Sequence, residues 1–182
     1  VREETYNELR WNPLIGSWII VSSKRAVRPW RQVEKCPFCP GSEETGVGWD
    51  VLVLDNRFPA LRVDAVASRG SRGLYKVERA YGYSKVVVET PDHEGDLDTI
   101  PFVNLIKYLR VIADLTEKHC GDPKIEYVLP FRNKGEVIGV SLTHPHSQVY
   151  VLPFIPPRVK RELSMIKEHR EKTGSCLLCD IL

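Results

Sequence analysis

His144-Pro145-His146-Ser147-Gln148 lies between two apolar stretches, Val137-Ile138-Gly139-Val140-Ser141 and Val149-Tyr150-Val151-Leu152. Reading these as two strands decides the fold. Side chains two apart on a strand share a face, so His144 and His146 project together from a strand end. Working outward, Ile125 to Leu129 reads as a further strand, and Asn133-Lys134-Gly135 turns the chain into the strand at 137–141. Such close spacing calls for antiparallel hairpins rather than βαβ crossovers. Upstream, Trp18 to Val21, Val51 to Leu54 and Tyr83 to Glu89 read as strands, and 68–73 as a Ser/Arg/Gly loop. Residues 99–119 form the clearest helix, with Thr99 or Asp98 to cap it and Pro101 in its first turn. A second helix is expected over 158–172, opened by Pro156-Pro157 and closed by Gly174. The expected class is α+β: one antiparallel sheet with two main helices packed on it, in a single domain over 1–182.

The chain has 182 residues, 42% of them apolar and 27% charged, with a net charge of +2. That balance suits a globular domain with its own core and gives no reason to expect a nucleic-acid or membrane partner. No apolar run approaches the ~20 residues of a membrane-spanning helix, and Val1-Arg2-Glu3-Glu4 is no secretory signal. A cytoplasmic location is expected. The five cysteines form two C-x-x-C pairs plus Cys120. In that setting metal ligation or redox chemistry outranks a disulfide framework.

Cys36-Pro37-Phe38-Cys39-Pro40-Gly41 is a turn that aims two thiolates at one point. Zinc needs four ligands, and His93 and His144 complete a Cys₂His₂ set. A redox pair or two ordinary buried cysteines are the alternatives, as is a Cys₄ set with Cys176 and Cys179, which leaves both histidines without a role. If a metal holds His144, His146 is left to react. The main-chain carbonyl of His144 can accept the Nδ1 proton of His146, which makes Nε2 the nucleophile for phosphorus. Gln148 can donate an amide hydrogen bond to a phosphate oxygen but cannot act as a general acid. Arg25 and Arg28, beside Trp30, supply planar donors for a diphosphate, although a solvated basic loop would look the same. Asn56 and Phe58 can hold a base and ribose or form a turn, and Asn133, Lys134 and Gly135 can bind phosphate or form a turn.

In order along the chain, these segments resemble the galactose-1-phosphate uridylyltransferase branch of the histidine-triad superfamily. The segments are Asn12-Pro13-Leu14, Gly16-Ser17-Trp18, Arg25 to Trp30, Cys36 to Gly41, Asp55 to Leu61, Pro91-Asp92-His93, Phe131 to Gly135, and His144 to Gln148. The resemblance implies a histidine-triad-like sheet curled as a half-barrel. It implies a ping-pong reaction in which His146 takes the uridylyl group from UDP-glucose, releases glucose 1-phosphate and passes the group to galactose 1-phosphate. By the same resemblance, Cys36, Cys39, His93 and His144 hold one structural zinc. Arg25 and Arg28 contact phosphates, Asn56 and Phe58 the uridine, and Asn133, Ser141 and Gln148 the transferred phosphate. A homodimer is implied too. Gln148 stands where the hydrolase branches carry a third histidine, which favours transfer over hydrolysis. Arg57 and Arg132 replace acidic residues common in the family, and 174–182 resembles the start of a second half. Glu162 matches a second-metal ligand of some members, but no second metal is expected. Two other readings are an adenylyl-transferring ADP-glucose phosphorylase, whose plant members share the Ser before the Gln, and a non-catalytic zinc-stabilised nucleotide-binding domain.

Overall fold

The computed structural model describes residues 5–23, 35–138, 140 and 142–182. Its strands are β1 (Asn7–Asn12), β2 (Ser17–Ser22), β3 (Leu52–Asp55), β4 (Val77–Arg79), β5 (Tyr83–Val88), β6 (Tyr127–Phe131) and β7 (His146–Leu152). The helices are α1 (Phe102–Cys120), α2 (Pro157–Thr173) and the short α3 (Leu177–Ile181).

The N-terminal hairpin forms because the Asn12 side chain accepts from the Leu14 N–H at 3.0 Å while Gly16 takes a left-handed φ of 61°. Its register sets Trp11 opposite Trp18, edge to face at 5.3 Å. β4 joins the free side of β1, giving a three-stranded sheet in the order β2-β1-β4. A separate four-stranded antiparallel sheet has the order β3-β5-β7-β6.

The α+β class stands, but the half-barrel does not. Among the described residues no sheet closes or curls, and the strands divide between two sheets. The cause lies at residues 80–82. β4 spends its hydrogen bonds on β1, and three residues later β5 pairs with β3 and β7, so no ladder runs from one sheet into the other. Leu9, Leu61, Ala80 and Leu152 fill the seam with apolar packing instead.

The four-stranded sheet has two distinct faces, fixed by its register. Val87, Ser147, Val149 and Val151 share one face, where Val87, Val149 and Val151 form a core with Leu115 of α1 and Val128. Val86, Val88, His146 and Gln148 share the other, where Val86 and Val88 pack against Phe38. α1 starts at Pro101 without a side-chain cap. Thr99 is instead engaged with Asp96 in the preceding turn, its hydroxyl accepting from the Asp96 N–H and donating to the Asp96 carbonyl. α2 ends as expected at Gly174, whose φ of 76° closes the helix. It buries none of its residues, so among the described residues α1 supplies the helix of the core. At the start of the strand expected over 137–141, Glu136–Ile138 is instead a 3₁₀ turn with Val137 fully exposed; residues 139 and 141 lie outside the described residues.

Candidate active site and metal-ligand cluster

The Cys36–Cys39 turn folds on its own backbone. The Phe38 N–H points at Cys36 Sγ at 3.4 Å, and Thr45 donates its hydroxyl to the Cys39 carbonyl at 2.7 Å. Two histidines meet it at the end of the sheet where β5 leaves and β7 enters. His93 arrives from the turn after β5, where the Asp92 side chain accepts from the Glu94 N–H at 3.0 Å. His144 arrives two residues before β7 and is completely buried. The four ligand atoms lie within 4.8 Å of one another. Cys36 Sγ and Cys39 Sγ stand 3.6 and 3.7 Å from His144 Nδ1, and Cys39 Sγ stands 3.3 Å from His93 Nδ1. A tetrahedral ion with Zn–S of ~2.3 Å and Zn–N of ~2.05 Å would set sulfur and nitrogen ~3.5 Å apart. The cluster therefore fits a tetrahedral metal in both donor type and spacing.

The surroundings orient the ligands. His144 Nε2 donates to the Thr90 carbonyl at 2.8 Å, which leaves the Nδ1 lone pair facing the sulfurs. Thr143 Oγ1 lies 3.2 Å from His93 Nε2, close enough to accept its proton when Nδ1 faces the sulfurs. Burial pushes the His144 imidazole below its usual range, so it stays neutral as a ligand must be. Burial, then Cys36 beside it, pushes the Cys39 thiol up. Loading a metal therefore has to expel the proton of the Cys39 thiol.

His146 opens β7. Its Nδ1 donates to the His144 carbonyl at 2.8 Å, the contact expected from the sequence, and this places the lone pair on Nε2. Phe38, inside the C-x-x-C turn, meets the His146 ring edge-on at 5.2 Å and the His144 ring at 6.2 Å. Sequence reasoning passed over Phe38, although its place between two ligands could have flagged it. Gln148 shares the face of His146 and lies between Val86 and Phe131 in the ladder.

Arg25, Arg28 and Ser141 lie outside the described residues. Asn56 follows β3, and its side-chain oxygen accepts from the Phe58 N–H at 2.9 Å, so it builds the local turn. Phe58 is half-buried, and Asn133 is exposed just beyond β6. Glu162 pairs with Arg158 along α2 at 2.8 Å. On the opposite face of the sheet lies a group the sequence did not reveal. Ser147 donates to the fully buried Glu89 carboxylate at 2.5 Å and stands 2.9 Å from the Tyr108 hydroxyl. Arg132 pairs with the same Glu89 oxygen at 3.0 Å. Burial pushes the Glu89 carboxyl up, and Ser147 and Arg132 pull it back.

Two sheets joined at an apolar seam, with a Cys₂His₂ cluster built against a histidine at the head of an inner strand, define an α+β protein of the histidine-triad class. The chain belongs to the galactose-1-phosphate uridylyltransferase family: residues 1–156 match the family's "Galactose-1-phosphate uridyl transferase, N-terminal domain". It is 33% identical over 179 residues to galactose-1-phosphate uridylyltransferase of Thermotoga maritima, covering 96% of this chain and 56% of that protein. A solved uridylyltransferase structure superposes with a TM-score of 0.84 and 46% identity, over 96% of this chain and 55% of that one. An ADP-glucose phosphorylase from Arabidopsis thaliana with bound ADP-glucose superposes with a TM-score of 0.67 and 31% identity, over 96% and 57%. The chain thus spans about half the length of the relatives it matches.

Proposed function

We propose that this chain carries the nucleotidyl-transfer site of a UDP-glucose–hexose-1-phosphate uridylyltransferase. The observation that carries the reading is the hydrogen bond from His146 Nδ1 to the carbonyl of His144, itself a member of the Cys₂His₂ cluster. His146 Nε2 attacks the α-phosphorus of UDP-glucose. A P–N bond forms, the bond to the bridging oxygen breaks, and glucose 1-phosphate leaves with the electron pair. The imidazole becomes cationic as it is uridylylated, and that charge strengthens the Nδ1–H bond to the His144 carbonyl. A phosphate oxygen of galactose 1-phosphate then displaces His146 and yields UDP-galactose.

In this reading Gln148 and Asn133 hold the transferred phosphate with Ser141, Arg25 and Arg28 bind the remaining phosphates, and Asn56 with Phe58 receives the uridine. Gln148 has no proton to give a poor leaving group, which suits a transferase. The cluster is assigned to zinc, which when bound clamps His144 and takes no part in the transfer. Residues 1–182 are taken as one domain, with 174–182 beginning a second similar half. A homodimer and a cytoplasmic setting complete the proposal.

The adenylyl alternative draws on Ser147, shared with plant phosphorylases. That hydroxyl points to the helix side of the sheet, towards Glu89 and Tyr108, and not to the face of His146. It therefore gives no support for reading an adenine nucleotide. Turnover of UDP-glucose with galactose 1-phosphate, set against ADP-glucose with phosphate, tests the assignment. Faster use of the ADP-glucose pair would replace it.

A further inference from the structure

β6 and β7 stop pairing at Phe131 and Gln148. Carrying the antiparallel register onward sets Arg132 abreast of Ser147 and Asn133 abreast of His146. Alternation then turns Arg132 to the helix side and Asn133 to the side of His146. The contacts agree for Arg132, which reaches Glu89 at 3.0 Å and Asp96 at 2.7 Å. Lys134 pairs with Asp96 as well. Past the end of the ladder, ion pairs to two acids hold this segment beside the site.

Glu89 is the buried one of those acids. It is 0% exposed, and its Oε2 finds no donor among the described residues. Its own N–H donates to the Pro145 carbonyl at 3.2 Å, between the two site histidines. A buried ion pair with an unmatched oxygen is a poor source of stability, because an apolar pair of the same volume does as well or better. Its merit here is geometric: one carboxylate ties β5, β7 and the 132–134 segment to a single point.

We propose that Glu89 is a positioning residue for the transfer, anchoring Arg132 so that Asn133 is presented beside His146 to the phosphate in flight. The proposal rests on the uridylyltransfer reading above. Asn133 acts most strongly on the phosphate during transfer, so loosening its anchor lowers the rate of the step more than it weakens UDP-glucose binding.

Two variants of the full-length protein test this by single-turnover uridylylation of His146 and steady-state kinetics. In Glu89→Gln, kcat is expected to fall by about 100-fold, as for a displacement near 1 Å, while KM for UDP-glucose stays within about threefold. In the double variant Glu89→Leu/Arg132→Met, the thermal midpoint is expected to return to the wild-type value while the rate stays low. Wild-type kcat in the refolded double variant would overturn the proposal, as would a Glu89→Gln loss that falls on KM alone. An unreactive wild-type protein would overturn the functional reading and this inference together.

Discussion

Gly82→Ala is the sharpest test of how the two sheets are joined. Gly82 has a φ of 142°, a region that L side chains rarely adopt. A Cβ there would sit deep inside the shell of the Val151 carbonyl oxygen, 3.3 Å from its carbon and 3.4 Å from Leu61 Cβ. Neither neighbour can swing away. Val151 pairs with both Tyr83 and Val128 inside the sheet, and Leu61 is part of the seam. Relief requires about 1 Å of movement in β7 or in residues 80–82. The positive φ contributes about 1–3 kcal/mol, and one buried backbone hydrogen bond left unmade adds about 1–3 kcal/mol. The sum, about 2–6 kcal/mol, is a large part of the 5–15 kcal/mol typical of a domain. For a chain of this size it corresponds to a fall of about 5–20 °C in thermal midpoint. Thermal unfolding followed by circular dichroism, beside Gly174→Ala as a helix-end control, would measure it. A Gly82→Ala midpoint within about 2 °C of wild type would refute the close approach and the account of why the ladder breaks there.

Two further predictions concern metal and pH. Cys39→Ser should lose the bound metal, read as a fall from one equivalent per chain by atomic emission, and should unfold at lower temperature; an unchanged metal content would remove the cluster as the site. His119 is 5% exposed and lies tilted against the Tyr83 ring at 4.4 Å, and burial with Lys118 and Lys85 outweighs Asp122 to hold it below its usual pKa. Its neutral form is the folded form, so the unfolded chain takes up the proton first. The stability it contributes is complete above about pH 6.5 and lost as pH falls through the lower folded value. His119→Phe should therefore flatten the acid limb of stability against pH, and parallel curves for variant and wild type would contradict this.

Much of this was legible in the sequence, and the gaps have physical causes. β5, β7 and α1 carry apolar patterns and α2 is bracketed by Pro156-Pro157 and Gly174, so each is legible to within a few residues. β1 was hidden because it contains Glu8 and Arg10; Glu8 is nonetheless buried, satisfied by Arg10 and Ser68. β4 is three residues long, too short for any period. Val137 and Ile138 looked like strand and are an exposed turn, since apolarity alone does not distinguish the two. The half-barrel failed because the pairing of β4 and β5 depends on how the chain passes Gly82 against Val151, which no local pattern records. At the site, ligand spacing and the H-P-H motif were sufficient to assemble Cys36, Cys39, His93 and His144 with His146 alongside. Glu89 was missed because an acid after three valines reads as the exit of a strand, whereas tertiary packing makes it the anchor of a polar group.

In the proposed reaction His146 carries the uridylyl group. The direct measurement is the intact mass of the protein after mixing with UDP-glucose alone, beside a parallel sample with ADP-glucose and the His146→Asn variant. A uridylyl-mass adduct in the wild type, absent from His146→Asn and absent with ADP-glucose, is the predicted result. An adenylyl adduct, no adduct with either nucleotide sugar, or a uridylyl adduct that survives in His146→Asn would contradict the account.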